Sequence, residues 1–150
     1  MNTDDKSINA LTERVIGFAF RVANGLGSGF LEKVYENAMA HELRKCGLVV
    51  AQQHVMNVHY DGVVVGSYAA DLLVEEALLV ELKCTKVLDG IHSAQCLNYL
   101  KATGCQVCLL LNFGSPRLEI KRIVNSPLPR LNPSLCLLFL ICVNLCSSVD

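Results

Sequence analysis

The stretch AADLLVEEALLVELK, residues 69–83, decides how this chain folds. Its two apolar runs are separated only by a pair of glutamates, which is the pattern of a β-hairpin with an acidic turn. If residues 75–77 form the loop, Asp71 on the first strand lies opposite Glu81 on the second. Opposed residues share a face of a sheet, so we expect the two carboxylates to lie a few ångströms apart.

Lys83 adds a cation to this acidic pair. It lies two residues beyond Glu81 and therefore points to the same side of the strand. Two acids and one lysine on one face of an otherwise apolar hairpin are unfavourable to bury without a compensating ion. A divalent cation held by oxygen ligands would supply that compensation, so the hairpin predicts a metal site.

Three motifs along the chain together carry a family resemblance. Asp71, Glu81 and Lys83 fit the D…ExK signature, so the chain resembles the PD-(D/E)XK phosphodiesterase superfamily. Residues 29–35, Gly-Phe-Leu-Glu-Lys-Val-Tyr, fit GxxExxY, the pattern that names a small family within that superfamily. Residues 95–99, Gln-Cys-Leu-Asn-Tyr, fit the QxxxY helix motif of RecB-like exonuclease branches. The resemblance covers nearly the whole chain before its C-terminal tail and implies a nuclease.

The resemblance implies a role for each residue of the candidate site. Asp71 and Glu81 would hold a divalent cation, Mg²⁺ by default and Mn²⁺ as an alternative, because hard oxygen ligands suit both ions. Glu32 would add a third carboxylate, although the helix dipole favours an acid in a first turn whatever its function. Lys83 would position or help deprotonate the attacking water, or neutralise developing charge. The implied catalytic residues are these three of the D…ExK signature together with Gln95.

Four further side chains are candidate substrate contacts: Tyr35, Lys86, Tyr99 and Lys101. Tyr99 lies four residues after Gln95, so the two share one helix face, where they could bind the nucleic-acid backbone or border the core. Tyr35 could equally be a core aromatic with a satisfied hydroxyl. The two lysines could equally be solubilising surface charges.

Hydrophobic periodicity divides the chain into eight elements. They are helices over residues 8–23 and 30–46, strands over 48–58, 63–74 and 78–84, a helix over 92–103, and strands over 106–112 and 118–124. Asp61-Gly62 is a hairpin turn signal, and Ser28 is a candidate N-cap for the second helix. The order ααβββαββ predicts an α/β fold with a central mixed sheet flanked by helices, and the resemblance implies the same PD-(D/E)XK nuclease-like core. Strands that are apolar on both faces predict a sheet covered on both sides.

The net charge and the setting of the cysteines argue against two classes of protein, generally basic nucleic-acid binders and secreted disulfide-bonded proteins. The net charge of −1 argues against a generally basic nucleic-acid binder, while leaving room for a local cationic groove. Most of the eight cysteines lie inside apolar segments, and the first residues are polar rather than a secretion signal. We therefore expect reduced thiols and a cytoplasmic protein.

The length of 150 residues suits one domain. We expect a nuclease-like domain over residues 1–124, followed over residues 125–150 by a proline-containing linker and an apolar tail. Residues 135–146 are almost purely apolar, but a bilayer-spanning helix needs about 20 residues, so no transmembrane segment is expected. The tail could pack on the domain, touch a membrane or a partner, or be a poorly structured extension.

The sequence thus predicts a metal-dependent nuclease that hydrolyses phosphodiester bonds, with DNA favoured over RNA. An alternative from another class is a non-catalytic nucleic-acid- or protein-binding module on the same fold. A third alternative is a nuclease that acts only inside a complex, where a protein partner supplies the basic surface.

Overall fold

A computed structural model describes residues 3–126 of the chain. The elements, in chain order, are α1 (Thr3–Leu26), α2 (Glu32–Lys45), β1 (Val50–Tyr60), β2 (Val63–Val74), β3 (Leu78–Lys83), α3 (Gly90–Thr103), β4 (Val107–Asn112) and β5 (Glu119–Val124). The predicted order ααβββαββ is confirmed, and β2 has the predicted bounds.

The five strands form one mixed sheet in the order β1-β2-β3-β4-β5. Strands β1, β2 and β3 form an antiparallel meander, β4 lies parallel to β3, and β5 returns antiparallel to β4. Parallel neighbours need a crossover connection, which α3 supplies between β3 and β4. The carboxyl ends of these two strands therefore meet at one edge of the sheet, where Lys83 pairs with Asn112.

Both faces of the sheet are covered, as predicted from strands that are apolar on both sides. Helices α1 and α2 pack on one face, over side chains that include Leu72, Leu82 and Leu109. Helix α3 packs on the other face through Cys96 and Leu100. The central strands are consequently buried, and a polar side chain on them needs a specific partner.

All three helices begin at residues other than those predicted, and α1 starts five residues early, at Thr3. Helix α2 starts at Glu32 with Leu31 at the N-cap position, so the predicted cap Ser28 lies in the preceding loop. Helix α3 starts two residues earlier than predicted, because the Asp89 side chain accepts hydrogen bonds from backbone amides of the first turn. His92 completes this capping box, since its Nδ1 accepts from the Asp89 amide.

Both predicted hairpins are confirmed. Asp61 and Gly62 join β1 to β2 with φ angles of 50° and 74°, the backbone of a tight turn that follows the twist of its strands. Strands β2 and β3 pair Val74 with Leu78 across residues 75–77. This register is the one that the acidic turn predicts.

The apolar tail and most of the predicted linker, residues 127–150, lie outside the described residues. The boundary proposed near residue 124 therefore stays a prediction. Within residues 3–126, no helix has both the length and the apolarity that crossing a bilayer requires.

Candidate active site

Asp71 lies at a break in the sheet. The β1–β2 ladder skips Gln53, which has a φ of +51° and lies opposite Asp71. The β2–β3 ladder ends one residue away, at Leu72. The Leu82 backbone amide donates to Asp71 Oδ2 over 2.8 Å. A carboxylate thus replaces a main-chain acceptor between β2 and β3.

Glu81 and Lys83 meet Asp71 at this break, as the hairpin register predicts. Lys83 Nζ donates to Glu81 Oε1 over 2.8 Å, and the Asp71 backbone amide approaches Glu81 Oε2 at 3.5 Å. Glu81 is only 3% exposed and Asp71 9%. The structure therefore brings the three D…ExK residues together and buries both acids.

Burial governs the protonation of this cluster. It raises the pKa of the Glu81 carboxyl from 4.5 to about 7; the Asp71 charge acts in the same direction, and the Lys83 hydrogen bond acts against it. Burial also raises the pKa of Asp71, although hydrogen bonds from Leu82 and Gln53 act to lower it. Burial alone would lower the pKa of Lys83, but its hydrogen bond to Glu81 and the nearby carboxylates raise it. Lys83 is therefore a cation and a donor.

Glu36 is a buried acid that no motif marked as part of the site. It is 2% exposed. It accepts hydrogen bonds from Lys33 at 2.7 Å and from Gln52 and Gln53 at 2.9 Å each. Gln53 also donates to Asp71 Oδ1 at 3.1 Å, which links Glu36 to the acidic pair.

Glu32 lies one helical turn before Glu36, a spacing that could have identified the second acid from the sequence. Burial raises the pKa of the Glu32 carboxyl, while the Lys83 charge lowers it and the Asp71 charge raises it. Glu32 is therefore within electrostatic range of the site. However, nowhere in residues 3–126 are three His, Cys, Asp or Glu side chains placed to hold one ion together. The role of Glu32 as a third ligand stays a prediction.

Tyr35 and Gly29 of the GxxExxY motif shape the loop before α2. Tyr35 is fully buried and stacks on Phe113 with 4.6 Å between ring centroids. Its hydroxyl donates to the Gly27 carbonyl oxygen over 2.6 Å. Gly29 has a φ of +110°, which side-chain-bearing residues rarely adopt. Because the Tyr35 hydroxyl is hydrogen-bonded within this loop, the structure favours the alternative that Tyr35 is a core aromatic over the predicted substrate contact.

Gln95 and Tyr99 form a pair on α3, as their spacing predicts. Gln95 Nε2 donates to the Tyr99 hydroxyl over 2.5 Å. Burial, and then the Glu81 charge, raise the pKa of Tyr99, so this pair borders the acids. Lys86 and Lys101 are both exposed, and neither forms an ion pair with an acid of the described residues.

The backbone after Lys83 is held by the loop that follows β4. Buried Asn112 accepts from the Thr85 amide at 3.0 Å and donates to the Thr85 carbonyl at 2.9 Å. The Phe113 amide donates to the Lys83 carbonyl at 2.8 Å. A Cβ on Gly114 would lie 2.2 Å from the Thr85 carbonyl oxygen, so this approach requires glycine. From the sequence alone, Gly114 followed by Ser115 and Pro116 indicates only a turn.

The donor set at the break fits a hard divalent cation. Asp71 and Glu81 offer carboxylate oxygens. In a strand, the amide and carbonyl of one residue point to the same side, so the Leu82 carbonyl faces the gap that its amide spans toward Asp71. Two buried acids beside one ammonium leave negative charge that such an ion would neutralise. These two side chains and this carbonyl are the groups that would hold it.

A cleft of about 960 Å³ lies away from the candidate site, between the start of α1 and the turn at residues 75–77. That turn is at the amino end of β3, whereas the candidate site is at its carboxyl end. None of Asp71, Glu81 and Lys83 lines this cleft. The chemistry of the side chains, rather than cleft size, therefore identifies the site.

Comparison with known proteins assigns the family. The family model described as the PD-(D/E)XK nuclease superfamily matches residues 9–123. The crystal structure of SSO0001 is 15% identical with a TM-score of 0.47; the match covers 75% of this chain and 57% of that one. An alkaline exonuclease, LHK-Exo from Laribacter hongkongensis, is 14% identical with a TM-score of 0.48; the match covers 87% of this chain and 74% of that one.

These structural likenesses are too distant to carry an argument about function, and a search of the curated proteins found no match. The family match is more extensive, because it contains α2, α3 and strands β1 to β4 in full and all of β5 except its last residue. It also contains Asp71, Glu81 and Lys83 at the break in the sheet. The chain belongs to the PD-(D/E)XK nuclease superfamily.

Proposed function

We propose that this protein is a metal-dependent nuclease that hydrolyses phosphodiester bonds, with DNA as the favoured substrate. The observation that carries the proposal is the pair of buried acids Asp71 and Glu81 beside a single ammonium, that of Lys83, which is hydrogen-bonded to Glu81. Removing such charges from water is unfavourable, and an apolar core would be as stable without them. Their position at the carboxyl end of β3, within a nuclease family match, supports a catalytic role.

The residues divide the chemistry between them. A divalent ion bound by Asp71 and Glu81 would lower the pKa of a water molecule and screen the phosphodiester charge. Because Lys83 stays protonated, we assign it to orienting the attacking water and neutralising charge on the phosphate, rather than to taking a proton. Glu81 holds that ammonium in place through its 2.8 Å hydrogen bond.

We further place the protein in the GxxExxY group of the superfamily, on the strength of Gly29, Glu32 and Tyr35. In this proposal Glu32 joins the metal ligands when a cation offsets the repulsion among the acids. Gln95, paired with Tyr99, borders the site and orients the substrate.

The exposed lysines and the free cysteines support proposals about the substrate and about the compartment in which the protein acts. The exposed Lys86 and Lys101 are proposed phosphate contacts. All five cysteines of the described residues are free thiols, which suits a reducing compartment. We therefore propose a cytoplasmic nuclease, with Mg²⁺ as its ion and Mn²⁺ as a substitute.

Cleavage of a mixed panel tests this function. The panel contains linear and circular duplex DNA, single-stranded DNA and RNA, each with Mg²⁺, Mn²⁺ or EDTA. We expect cleavage of DNA with either ion and none in EDTA. Glu81→Gln should be inactive, whereas Glu76→Gln, which changes an exposed glutamate of the turn, should cleave normally. Metal binding without cleavage of any substrate would overturn the nuclease and leave the non-catalytic binding module.

A further inference from the structure

A polar cleft of about 410 Å³ lies between the β1–β2 hairpin and α3. Its volume is within the range of about 300–1,000 Å³ found for small-ligand sites. The polar groups that line it are Asn57, His59, Tyr68, Asn98 and Lys101. No acidic side chain of the described residues lines it, so the cleft suits an anionic ligand.

The lining groups suit different parts of a nucleotide. Tyr68 is 43% exposed and offers a ring on which an unpaired base can stack. Lys101 is exposed and forms no ion pair with the described residues, so its ammonium is available to a phosphate. Asn57 and Asn98 each carry both donors and an acceptor for base edges or the sugar. Inside a duplex the faces of a base are covered by its stacked neighbours and its pairing edge is occupied, so a single strand alone can use the whole lining.

The cleft leads toward the candidate active site through two tyrosines. Tyr68 packs against Tyr99 with 5.8 Å between ring centroids. The Tyr99 hydroxyl accepts a hydrogen bond from Gln95 and lies within range of the Glu81 charge. A strand seated in the cleft would therefore continue to the acidic pair.

We propose that this cleft binds one nucleotide of a single-stranded segment of the substrate, next to the nucleotide that is cleaved. The base stacks on Tyr68 and a phosphate lies at Lys101. The inference rests on the proposed nuclease function and specifies its substrate: a single strand, or the frayed end of a duplex, rather than an intact duplex.

Binding of a fluorescent single-stranded DNA oligonucleotide, measured by anisotropy in EDTA, tests the cleft without cleavage. Tyr68→Ala should weaken binding about tenfold, and Tyr68→Phe should restore it, because stacking needs the ring and not the hydroxyl. Lys101→Ala should weaken binding. It should also make the negative slope of log affinity against log salt shallower by about 0.7, because one phosphate contact is lost. The matched controls are Tyr60→Ala, at the exposed end of the same hairpin, and Lys6→Ala on α1, and both should bind like the wild type.

Several outcomes would overturn the cleft assignment. They are equal affinity of the wild type for a blunt duplex of the same sequence, unchanged binding by Tyr68→Ala and Lys101→Ala, or no binding by the wild type at all. Lys101→Ala changes an exposed side chain, so it remains informative if Tyr68→Ala fails to fold. The proposed function is judged separately, by cleavage of the panel. A protein that cleaves while its cleft variants bind normally would keep that function and lose this inference.

Discussion

The Leu82 backbone amide of β3 donates a 2.8 Å hydrogen bond to Asp71 Oδ2. A side chain of β2 thus takes the place of the main-chain carbonyl that would normally accept this bond. This contact occurs beside Gln53, where the ladder to β1 is interrupted. Asp71 is therefore part of the hydrogen bonding of the hairpin as well as a candidate metal ligand. A substitution that separates the two roles must keep an acceptor, and asparagine does, because its amide oxygen can accept the same bond.

Added Mg²⁺ or Mn²⁺ should raise the melting temperature of the wild type, because a ligand that binds only the native state stabilises it. At a metal concentration one hundred times Kd, the gain in the free energy of unfolding is about 2.7 kcal/mol. Asp71→Asn should remove most of this gain, since it removes one of the two charges that attract the ion. Thermal unfolding across a metal titration measures the effect.

Asp61→Asn is the matched control for this titration. Asp61 lies in the β1–β2 turn with a φ of 50°, a conformation that asparagine tolerates. The control should keep the full metal-induced rise. An unchanged melting curve for the wild type at millimolar metal would count against the site.

Lys83→Ala should reduce cleavage about a hundredfold or more and leave metal binding largely intact, because lysine acts on water and phosphate rather than on the ion. Glu81→Gln should lose both, and Lys6→Ala, an exposed lysine on α1, should lose neither. Isothermal titration at pH 8 and cleavage of the preferred substrate separate the two properties. If Lys83→Ala cleaves as fast as the wild type, its catalytic assignment is wrong.

The hairpin that carries the acids could be predicted because its signals are local. The glutamates at 75 and 76 mark the turn, and the turn fixes the register of β2 and β3. That register alone places Asp71 near Glu81 and Lys83 on the same side. Every step uses neighbours within a dozen residues, where spacing determines which side chains share a face.

The remaining parts of the site depend on contacts between distant segments. Gln53 bonds Glu36 across 17 residues, and Asn112 bonds Thr85 across 27, so no local pattern marks either pair. The positive φ of Gln53 is equally absent from the sequence pattern. Tyr35, by contrast, is marked by a motif, but the motif does not show that its hydroxyl points to the Gly27 carbonyl.

Gly114→Ala should lower the free energy of unfolding by about 1–3 kcal/mol and reduce cleavage by the folded protein. The added Cβ would lie 2.2 Å from the Thr85 carbonyl oxygen and 2.6 Å from the Cys84 carbonyl carbon, so the backbone next to Lys83 must shift. Urea denaturation measures the stability. Gly66→Ala, where nothing lies within 4 Å of the new Cβ, is the control. Equal stability of the two variants would show that the close approach does not exist.

Stability without metal should fall as the pH rises from about 4.5 to about 7. The folded-state pKa of Glu81 is about 7, above its ordinary 4.5, so between these values the native state binds more protons than the unfolded state. The contribution of Glu81 to the free energy of unfolding is therefore complete below pH 4.5 and is lost as the pH passes 7. This loss amounts to at most about 3 kcal/mol. The raised pKa of Asp71 acts in the same direction. Urea denaturation in EDTA across this range should show the fall in the wild type and in Glu76→Gln, and a shallower fall in Glu81→Gln. Parallel profiles for all three proteins would mean that Glu81 titrates as it does in water, and the buried acidic pair would not exist.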